Sequence, residues 1–216
     1  MVSGVVFFDV DGTLVPQTSS GQHLAELFGH AAAMREAEER YAAGTLTNKE
    51  VSVLDARWWA ARTPSEVRGF LETLPLVDGI AETVSWCRRQ DLVPVLATLA
   101  WDVVGAHLCE RFGFDRACGP SLEVVEGRYT GQVAEHLDEL GKCAFALAVA
   151  AELGVGPGRC AAVGDSRSDL PLFAEVGLAI GFNATPAARE AAHQAVEGRD
   201  LRAVVPVLAG WLNIDR

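Results

Sequence analysis

Two aspartates stand at the end of an apolar run near the start of the chain. Residues 7–15 read FFDVDGTLV, so Asp9 and Asp11 follow a stretch that is typical of a buried strand. A buried carboxylate costs several kcal/mol unless a positive charge or hydrogen-bond donors lie beside it. A D-x-D-G sequence by itself is more often a turn than a reactive site, so other residues must supply the positive partner.

Three further polar features occur later in the chain. They are Thr98, the Gly141-Lys142 pair, and residues 164–169, which read GDSRSD and include Asp165 and Asp169. The first alone is typical of a strand end, the second of an exposed helix start, and the third of a helix N-cap. Their joint occurrence with the two aspartates, in this order along the chain, favours a single reactive site.

The elements around these residues predict how they come together. Four apolar runs indicate buried strands, at 5–10, 92–98, 160–165 and 178–182. Helical patterns lie between them, for example at 80–90 and 142–154, and residues 121–133 suggest a hairpin with a turn at Glu126-Gly127. Strands that alternate with helices form a parallel sheet with helices on both faces. Such α/β sheets, here a Rossmann-like core, bind ligands at the carboxyl ends of their strands.

Residues 16–76 have a different character. They contain three amphipathic helical patterns, at 22–44, 48–62 and 63–75, with Ser65 as a candidate N-cap of the third. The segment is too long for an ordinary loop between a strand and a helix. We therefore expect an all-helical cap domain at 16–76, inserted into a Rossmann-like catalytic core formed by 1–15 and 77–216.

Composition excludes several classes of function. The net charge is −11, whereas sequence-independent binding of nucleic acid or of an anionic membrane requires a basic face. The five cysteines form no C-x-x-C pair, which predicts reduced thiols in a cytoplasmic protein. The chain begins without a basic leader and has no apolar stretch of membrane-spanning length. The oligomeric state is left open.

The polar features together resemble a known family. DVDGTL, Thr98, Lys142 and GDSRSDLPLF are similar to the four signature motifs of the haloacid dehalogenase-like hydrolase superfamily. The helical insertion and the stretch VGLAIGFNATPAARE resemble its phosphoserine phosphatase branch. The resemblance implies a Mg²⁺-dependent phosphatase that hydrolyses the phosphate monoester of a small metabolite through an aspartyl-phosphate. The alternatives are a phosphoserine phosphatase, a phosphotransferase or phosphomutase with the same intermediate, and an inactive binding protein of the same fold.

The same resemblance implies roles for individual residues. Asp9 is the expected nucleophile, Asp11 the general acid and base, and Lys142 the cation beside the phosphoryl group. Mg²⁺ is expected to contact Asp9, the backbone carbonyl of Asp11 and Asp165, with Asp169 in a supporting role. The expected phosphate contacts are Gly12, Thr13, Thr98, Leu99, Lys142 and Ser168. An acid at the position of Asp11 favours phosphoryl transfer over dehalogenation, because a halide leaves without a proton.

The amino-acid clamp of that branch is missing from its expected positions. Phosphoserine phosphatases resemble one another in a glutamate shortly after the first motif and an arginine in the cap. This chain reads PQTSSGQH at 16–23, has Val53 near the expected arginine, and has Arg57 one turn later. Burying an ammonium and a carboxylate without partners is costly. We therefore expect phosphoserine to be a poor substrate and a hydroxyl-rich or uncharged leaving group to be preferred.

Other residues are candidates for contact with the leaving group. Trp101 follows the second motif and so is expected near the phosphate. Trp58 and Trp59 are adjacent in a helical pattern, where one of the two is usually core, and His23 lies early in the insertion. The charged run REAEER at 35–40 is interpreted as a solvated helix face.

Overall fold

A computed structural model describes residues 2–214 of the 216-residue chain. In chain order the strands are β1 (Gly4–Phe8), β2 (Leu92–Leu96), β3 (Ser121–Val125), β4 (Arg128–Glu135), β5 (Cys160–Gly164), β6 (Leu178–Phe182) and β7 (Gln194–Val196). The α-helices are α1 (Ser20–Phe28), α2 (Ala31–Ala42), α3 (Asn48–Ala56), α4 (Pro64–Leu71), α5 (Ile80–Arg89), α6 (Asp102–Phe112), α7 (Glu139–Glu152), α8 (Leu170–Phe173), α9 (Pro186–Ala191) and α10 (Val205–Ile214). Among these described residues, a helix with both the length and the apolar character of a membrane span does not occur.

The main sheet has five strands, with β5 at its centre and β1 next to the edge strand β2. Its order is β2-β1-β5-β6-β7, and all of its pairs are parallel. Side chains alternate between the faces of a strand, so Val6 and Phe8 pack with α5, α6 and α10, whereas Val5 and Phe7 pack with α7, α8 and α9. The structure therefore confirms the predicted α/β fold, with a parallel sheet and helices on both faces.

The strand ends leave the polar motifs in loops. The strand predicted at 178–182 has these same bounds in the structure. The other three predicted strands end one or two residues early, so Asp9, Thr98 and Asp165 lie just beyond β1, β2 and β5. The short strand β7 was not predicted, because its exposed residues lack an apolar run. The carboxyl ends of three neighbouring strands thus meet at one edge of the sheet.

Helices α1 to α4 lie between β1 and α5, and we call them the helical insertion. The pattern at 22–44, predicted as one helix, is two helices in the structure. Gly29 caps α1 with a φ of 88° and donates its N–H to the Ala25 carbonyl, a left-handed geometry that glycine adopts easily. The chain turns at this glycine, and α2 runs in a new direction from Ala31.

The N-cap predicted for the last helix of the insertion is wrong. Thr63, not Ser65, caps α4, because its hydroxyl accepts the Glu66 N–H and the Glu66 carboxylate accepts the Thr63 N–H in return. Pro64 then occupies the first helical turn, where its missing N–H costs nothing. The cap is therefore the residue before the proline.

The strands β3 and β4 form the predicted hairpin. Glu126 and Gly127 both have positive φ, at 50° and 75°, as a two-residue type I′ turn requires. The hairpin packs on the helical insertion. Ala61 donates its N–H to the Tyr129 carbonyl at 3.0 Å, and the Trp59 and Tyr129 rings meet edge to face with centroids 5.3 Å apart. The β3-β4 hairpin therefore supports the helical insertion.

Candidate active site

The loops after β1 and β5 bring two carboxylates together. Asp9 continues the pairing of the strands by donating its N–H to the Val163 carbonyl at 2.9 Å. Gly12 has a φ of 86°, and a Cβ at this position would lie 2.2 Å from Asp165 Oδ2. Only glycine leaves room for Asp165 here. The glycine of the D-x-D-G sequence therefore lets the carboxylate that follows β5 approach the loop after β1.

Lys142 supplies the positive charge that the buried carboxylate of Asp9 requires. It lies in the first turn of α7 and is 0% exposed. Its Nζ is 3.1 Å from Asp9 Oδ1 and 2.6 Å from Asp169 Oδ1, and it donates to Ser168 Oγ at 3.2 Å. Burial alone would lower the pKa of Lys142, but the Asp169 and Asp9 carboxylates together outweigh burial and raise it. The ammonium therefore stays charged in the interior.

Asp169 links Lys142 to the loop that carries Asp165. One of its oxygens contacts the ammonium, and the other accepts the backbone N–H groups of Asp165 at 2.9 Å and Ser166 at 3.1 Å. A Cβ on Gly164 would lie 2.2 Å from Asp169 Cγ. These contacts fix the position of Lys142 relative to the end of β5.

Three carboxylates converge around a point beside Lys142. Asp9, Asp165 and Asp169 each offer one oxygen, and these oxygens lie within 4.8 Å of one another. Burial and, after it, the neighbouring carboxylates raise the pKa of Asp9 to about 7 and that of Asp165 to about 8, against the opposing effect of Lys142. One ammonium against three carboxylates leaves excess negative charge on oxygen donors. This donor set fits a hard divalent cation.

Asp165 and Asp9 are better placed than Asp169 for such a cation. Both oxygens of Asp169 already accept hydrogen bonds, whereas Asp165 Oδ1 accepts one from the Thr13 hydroxyl at 3.0 Å. Within residues 2–214, Asp165 Oδ2 accepts none. The Thr13 side chain is fully buried behind the cavity, and its hydroxyl orients Asp165. Thr13 was expected to contact the phosphate, but it does not line the cavity.

Asp11 lies apart from the three-carboxylate cluster. Its Oδ1 accepts the Ser20 N–H at the start of α1 at 2.6 Å, and it forms no ion pair with the described residues. Burial raises the pKa of Asp11. The side chain thus lies between the end of β1 and the helical insertion, in an environment different from that of Asp9.

A cavity of about 320 Å³ separates the strand ends from the helical insertion. The predicted site residues that line it are Asp9, Asp11, Gly12, Thr98, Leu99, Asp165 and Ser168. The Thr98 hydroxyl oxygen accepts the Ala100 N–H at 3.1 Å, which folds the loop after β2 over the cavity floor and leaves its proton free to donate. Lys142 contacts this wall from behind, through Asp9 and Ser168.

The candidates for leaving-group contact are divided between the cavity and the surface. Trp101 lines the cavity, as expected, and Trp59 is core. Trp58 is 46% exposed and stacks on His30 with ring centroids 4.8 Å apart. His23 contacts the Thr73 hydroxyl at 3.1 Å and lies outside the cavity wall, contrary to expectation. Val53 and Arg57 are exposed and likewise do not line it.

The helical insertion contributes two acidic residues to the cavity wall that were not predicted. Glu38 lies in the run interpreted as a solvated face, yet it lines the cavity and accepts a hydrogen bond from the Ser19 hydroxyl. Burial raises the pKa of Glu38 to about 7. The spacing of Met34, Ala37 and Tyr41 marks the inward face of α2 and was the available signal.

Asp55 is the second acid in this wall, and it is fully engaged. Its Oδ2 accepts the indole N–H groups of Trp59 at 2.9 Å and Trp101 at 2.7 Å. Its Oδ1 lies 2.6 Å from His30 Nε2. Because Trp101 follows β2 and Asp55 belongs to α3, this carboxylate joins the helical insertion to the loop of Thr98.

Known proteins share this sequence pattern. The phosphoserine phosphatase of Streptomyces coelicolor is 32% identical over 197 residues, covering 89% of this chain and 47% of that protein. The phosphoserine phosphatase of Vibrio cholerae serotype O1 is 29% identical over 213 residues, covering 97% of this chain and 64% of that protein. The chain thus spans about half and just under two thirds of the length of these two relatives.

A solved structure shares the fold. It is described as a phospho-aspartyl intermediate analogue of phosphoserine phosphatase, and it superposes with a TM-score of 0.85 at 24% identity, covering 96% of this chain and 99% of that one. The sequence profile of the haloacid dehalogenase-like hydrolases matches residues 6–174, from β1 to the end of α8. The match spans all four polar motifs, and the chain belongs to this hydrolase family.

Proposed function

We propose that the chain is a Mg²⁺-dependent phosphatase that hydrolyses a small-molecule phosphate monoester through an aspartyl-phosphate. One observation carries this proposal. Two carboxylates of unlike environment share one cavity, since Asp9 lies against the Lys142 ammonium and Asp11 is held by a backbone N–H without a cation. A nucleophile and a general acid need such a difference.

In the first step, an Asp9 oxygen forms a bond to phosphorus while the bond from phosphorus to the ester oxygen breaks. Asp11 gives its proton to the leaving oxygen, which departs as an alcohol. In the second step, Asp11 takes a proton from a water whose oxygen attacks phosphorus, and the bond to Asp9 breaks. Inorganic phosphate leaves, and both aspartates return to their starting forms.

The remaining site residues bind and orient the phosphoryl group. The Thr98 and Ser168 hydroxyls and the backbone around Gly12 and Leu99 line the cavity at its sheet end, where they can donate to phosphoryl oxygens. Lys142 offsets negative charge at Asp9, and its ion pair with Asp169 holds the ammonium in position. Thr13 acts one step further out, by orienting Asp165.

Mg²⁺ held by Asp9, Asp165 and the backbone carbonyl of Asp11 would supply the charge that lets a carboxylate approach an anionic phosphate. We assign 1–15 and 77–216 to the catalytic core and 16–76 to a cap that shields this step from water. Met1, Asp215 and Arg216, which that division includes, lie outside the described residues. The five unpaired cysteines fit a reducing compartment, and we propose the cytoplasm.

The proposal is tested with the purified chain and p-nitrophenyl phosphate. We expect Mg²⁺-dependent release of inorganic phosphate that stops on chelation and returns with added Mg²⁺. Asp9→Asn should lower kcat by roughly 10³-fold or more, because an amide does not attack phosphorus. Thermal unfolding checks that the variant is folded. Undiminished turnover by Asp9→Asn, or full activity in chelator, would contradict the proposal, and transfer of the phosphoryl group to an added alcohol in preference to water would favour a phosphotransferase.

A further inference from the structure

The cavity continues past the phosphate end and under the helical insertion. Its wall there is formed by Glu38 and Tyr41 of α2, Asn48 and Asp55 of α3, and Trp101. A leaving group bound at the sheet edge would therefore be enclosed by these side chains. Their free hydrogen-bonding capacity and charge define which leaving group fits.

The Glu38 and Asn48 side chains of this wall each keep a free hydrogen-bond acceptor. Glu38 Oε1 accepts from the Ser19 hydroxyl, and Oε2 has no partner among the described residues. Asn48 is 9% exposed, and its Nδ2 donates to the Leu137 carbonyl at 2.8 Å. A carbonyl only accepts, so the amide orientation is fixed and Asn48 Oδ1 remains as a second free acceptor. The Tyr41 hydroxyl already donates to Glu139.

The cations around this wall are committed elsewhere. Arg167 is the arginine that reaches the cavity, and its Nη1 donates to the Tyr41 carbonyl at 2.6 Å. Its Nη2 lies 3.2 Å from Glu139 Oε1, and its guanidinium stacks on the Tyr41 ring. Lys142 is held between two aspartates. A carboxylate on the leaving group would thus face Glu38 and Asp55 with no uncommitted cation in the described wall.

We propose that the cavity selects a phosphate monoester whose leaving alcohol carries an ammonium group and no carboxylate, with Glu38 as the specificity-determining residue. The inference rests on the proposed phosphatase function. It differs from the sequence-based expectation of a hydroxyl-rich or uncharged leaving group, because Glu38 of α2 adds an acid to the cavity wall.

The adjacent residues Ser19 and Ser20 bear on the size of the leaving group. Ser20 binds the Asp11 carboxylate through its N–H, and the preceding residue, Ser19, binds Glu38 through its hydroxyl. Consecutive Cα atoms are about 3.8 Å apart, so one peptide unit separates the two contacts. Glu38 and Asp11 are thus held by neighbouring residues, which favours a short leaving alcohol whose ammonium lies near the oxygen that Asp11 protonates. The carboxylates of Asp11 and Asp55, which raise the pKa of Glu38 beyond the effect of burial, also favour a cation there.

The aromatic wall supports the same class of ligand. Trp101 and Tyr41 both line the cavity, and aromatic rings attract ammonium groups. A hydroxyl in place of the ammonium would satisfy the free acceptors but would leave the charge of Glu38 unpaired. The ammonium satisfies both requirements with a single group.

The test compares substrates in the wild-type chain and in two variants. The substrates are O-phosphoethanolamine, glycerol phosphate and phosphoserine, with p-nitrophenyl phosphate as the reference for the chemical step. We expect kcat/KM for phosphoethanolamine to exceed the values for glycerol phosphate and phosphoserine by roughly 10- to 100-fold, the size of a buried charged contact. Glu38→Gln should lower the phosphoethanolamine value by a similar factor, mainly through KM, and should lower the p-nitrophenyl phosphate value much less. Glu36→Gln, an exposed change of the same kind on the same helix, should leave all four unchanged.

The outcomes separate this inference from the proposed function. A kcat/KM for phosphoserine or glycerol phosphate equal to or above that for phosphoethanolamine overturns the inference while the phosphatase stands. Equal losses on all substrates in folded Glu38→Gln also overturn it. Hydrolysis of none of the four esters overturns the phosphatase and the inference with it. If Glu38→Gln does not fold, the wild-type substrate ranking alone decides.

Discussion

Asp9 and Asp11 are the same side chain two residues apart, and their contacts differ. Asp9 lies 3.1 Å from an ammonium and within the three-carboxylate cluster, whereas Asp11 accepts a backbone N–H from the helical insertion. Burial and the neighbouring carboxylates raise the pKa of Asp9, whereas the Lys142 ammonium lowers it and so favours the ionised form that attacks. The environment of Asp11 suits a group that exchanges a proton with the leaving alcohol, since Asp11 faces the part of the cavity under the insertion.

Replacing Asp11 with asparagine distinguishes this role from a structural one. An alkoxide needs a proton to leave, while a p-nitrophenolate leaves without one. We expect Asp11→Asn to lower kcat on an alkyl phosphate by roughly 10²- to 10⁴-fold, the usual contribution of a general acid. The loss on p-nitrophenyl phosphate should be much smaller in the step that forms the aspartyl-phosphate, measured as the burst of phenolate. Equal losses in that burst and in alkyl ester turnover would mean that Asp11 serves the fold or the metal instead.

The residues at the sheet edge were predictable, and those of the leaving-group wall were not. Asp9, Asp165 and Lys142 follow or begin elements that must meet at one edge of a parallel sheet, so their proximity follows from topology. Glu38 and Asp55 lie on helices whose rotation about their own axes decides whether a carboxylate faces water or the cavity. That rotation is set by tertiary contacts, such as those of Met34 and Trp59, and the sequence pattern does not show which of these contacts form.

Asp55 of α3 accepts two indole hydrogen bonds that can be removed separately, one from its own segment and one from the loop after β2. The Trp59 and Trp101 indoles both donate to Asp55 Oδ2, at 2.9 Å and 2.7 Å. Trp59 belongs to the same segment as α3, whereas Trp101 follows β2 and adjoins the Thr98 loop. The two tryptophans are therefore a matched pair, and only one of their bonds crosses between elements.

We expect Trp101→Phe and Trp59→Phe to reduce the free energy of unfolding by similar amounts, about 1–3 kcal/mol, because each removes one buried hydrogen bond to a carboxylate. Only Trp101→Phe should also lower kcat/KM, by roughly tenfold, since it frees the phosphate-binding loop from the insertion. Thermal unfolding and steady-state kinetics on p-nitrophenyl phosphate measure the two effects. Identical kinetic losses in both variants would show that the link is structural only.

The predictions of secondary structure were correct where one sequence signal determines the local conformation, and they were wrong where two signals compete. Apolar runs fixed the strands, and the Glu126-Gly127 pair fixed the hairpin turn. The break between α1 and α2 was missed because the amphipathic pattern continues through Gly29, and the conformation of the glycine outweighs it. At α4, Ser65 is a good capping residue, but Pro64 requires the cap to precede it.

The whole molecule carries an excess of negative charge, and part of that excess is buried at the carboxyl ends of the strands. The chain carries a net charge of −11, and Asp9, Asp165 and Asp169 share one lysine inside it. The raised pKa values of Asp9 and Asp165 mean that holding both carboxylates ionised opposes folding. A divalent cation that binds only the folded chain should relieve this repulsion and stabilise it.

We therefore expect Mg²⁺ to raise the Tm of the wild-type chain. Saturation to about 100 times the dissociation constant is worth about 2.7 kcal/mol, which for a chain of this size corresponds to roughly 5 °C or more. Asp165→Asn should match or exceed the wild-type Tm in chelator, because it removes one of the repelling carboxylates, and should lose most of the response to Mg²⁺. Sodium chloride at equal ionic strength controls for screening of the surface charge. An equal shift with sodium chloride, or an undiminished Mg²⁺ response in Asp165→Asn, would contradict metal binding at this cluster independently of any activity measurement.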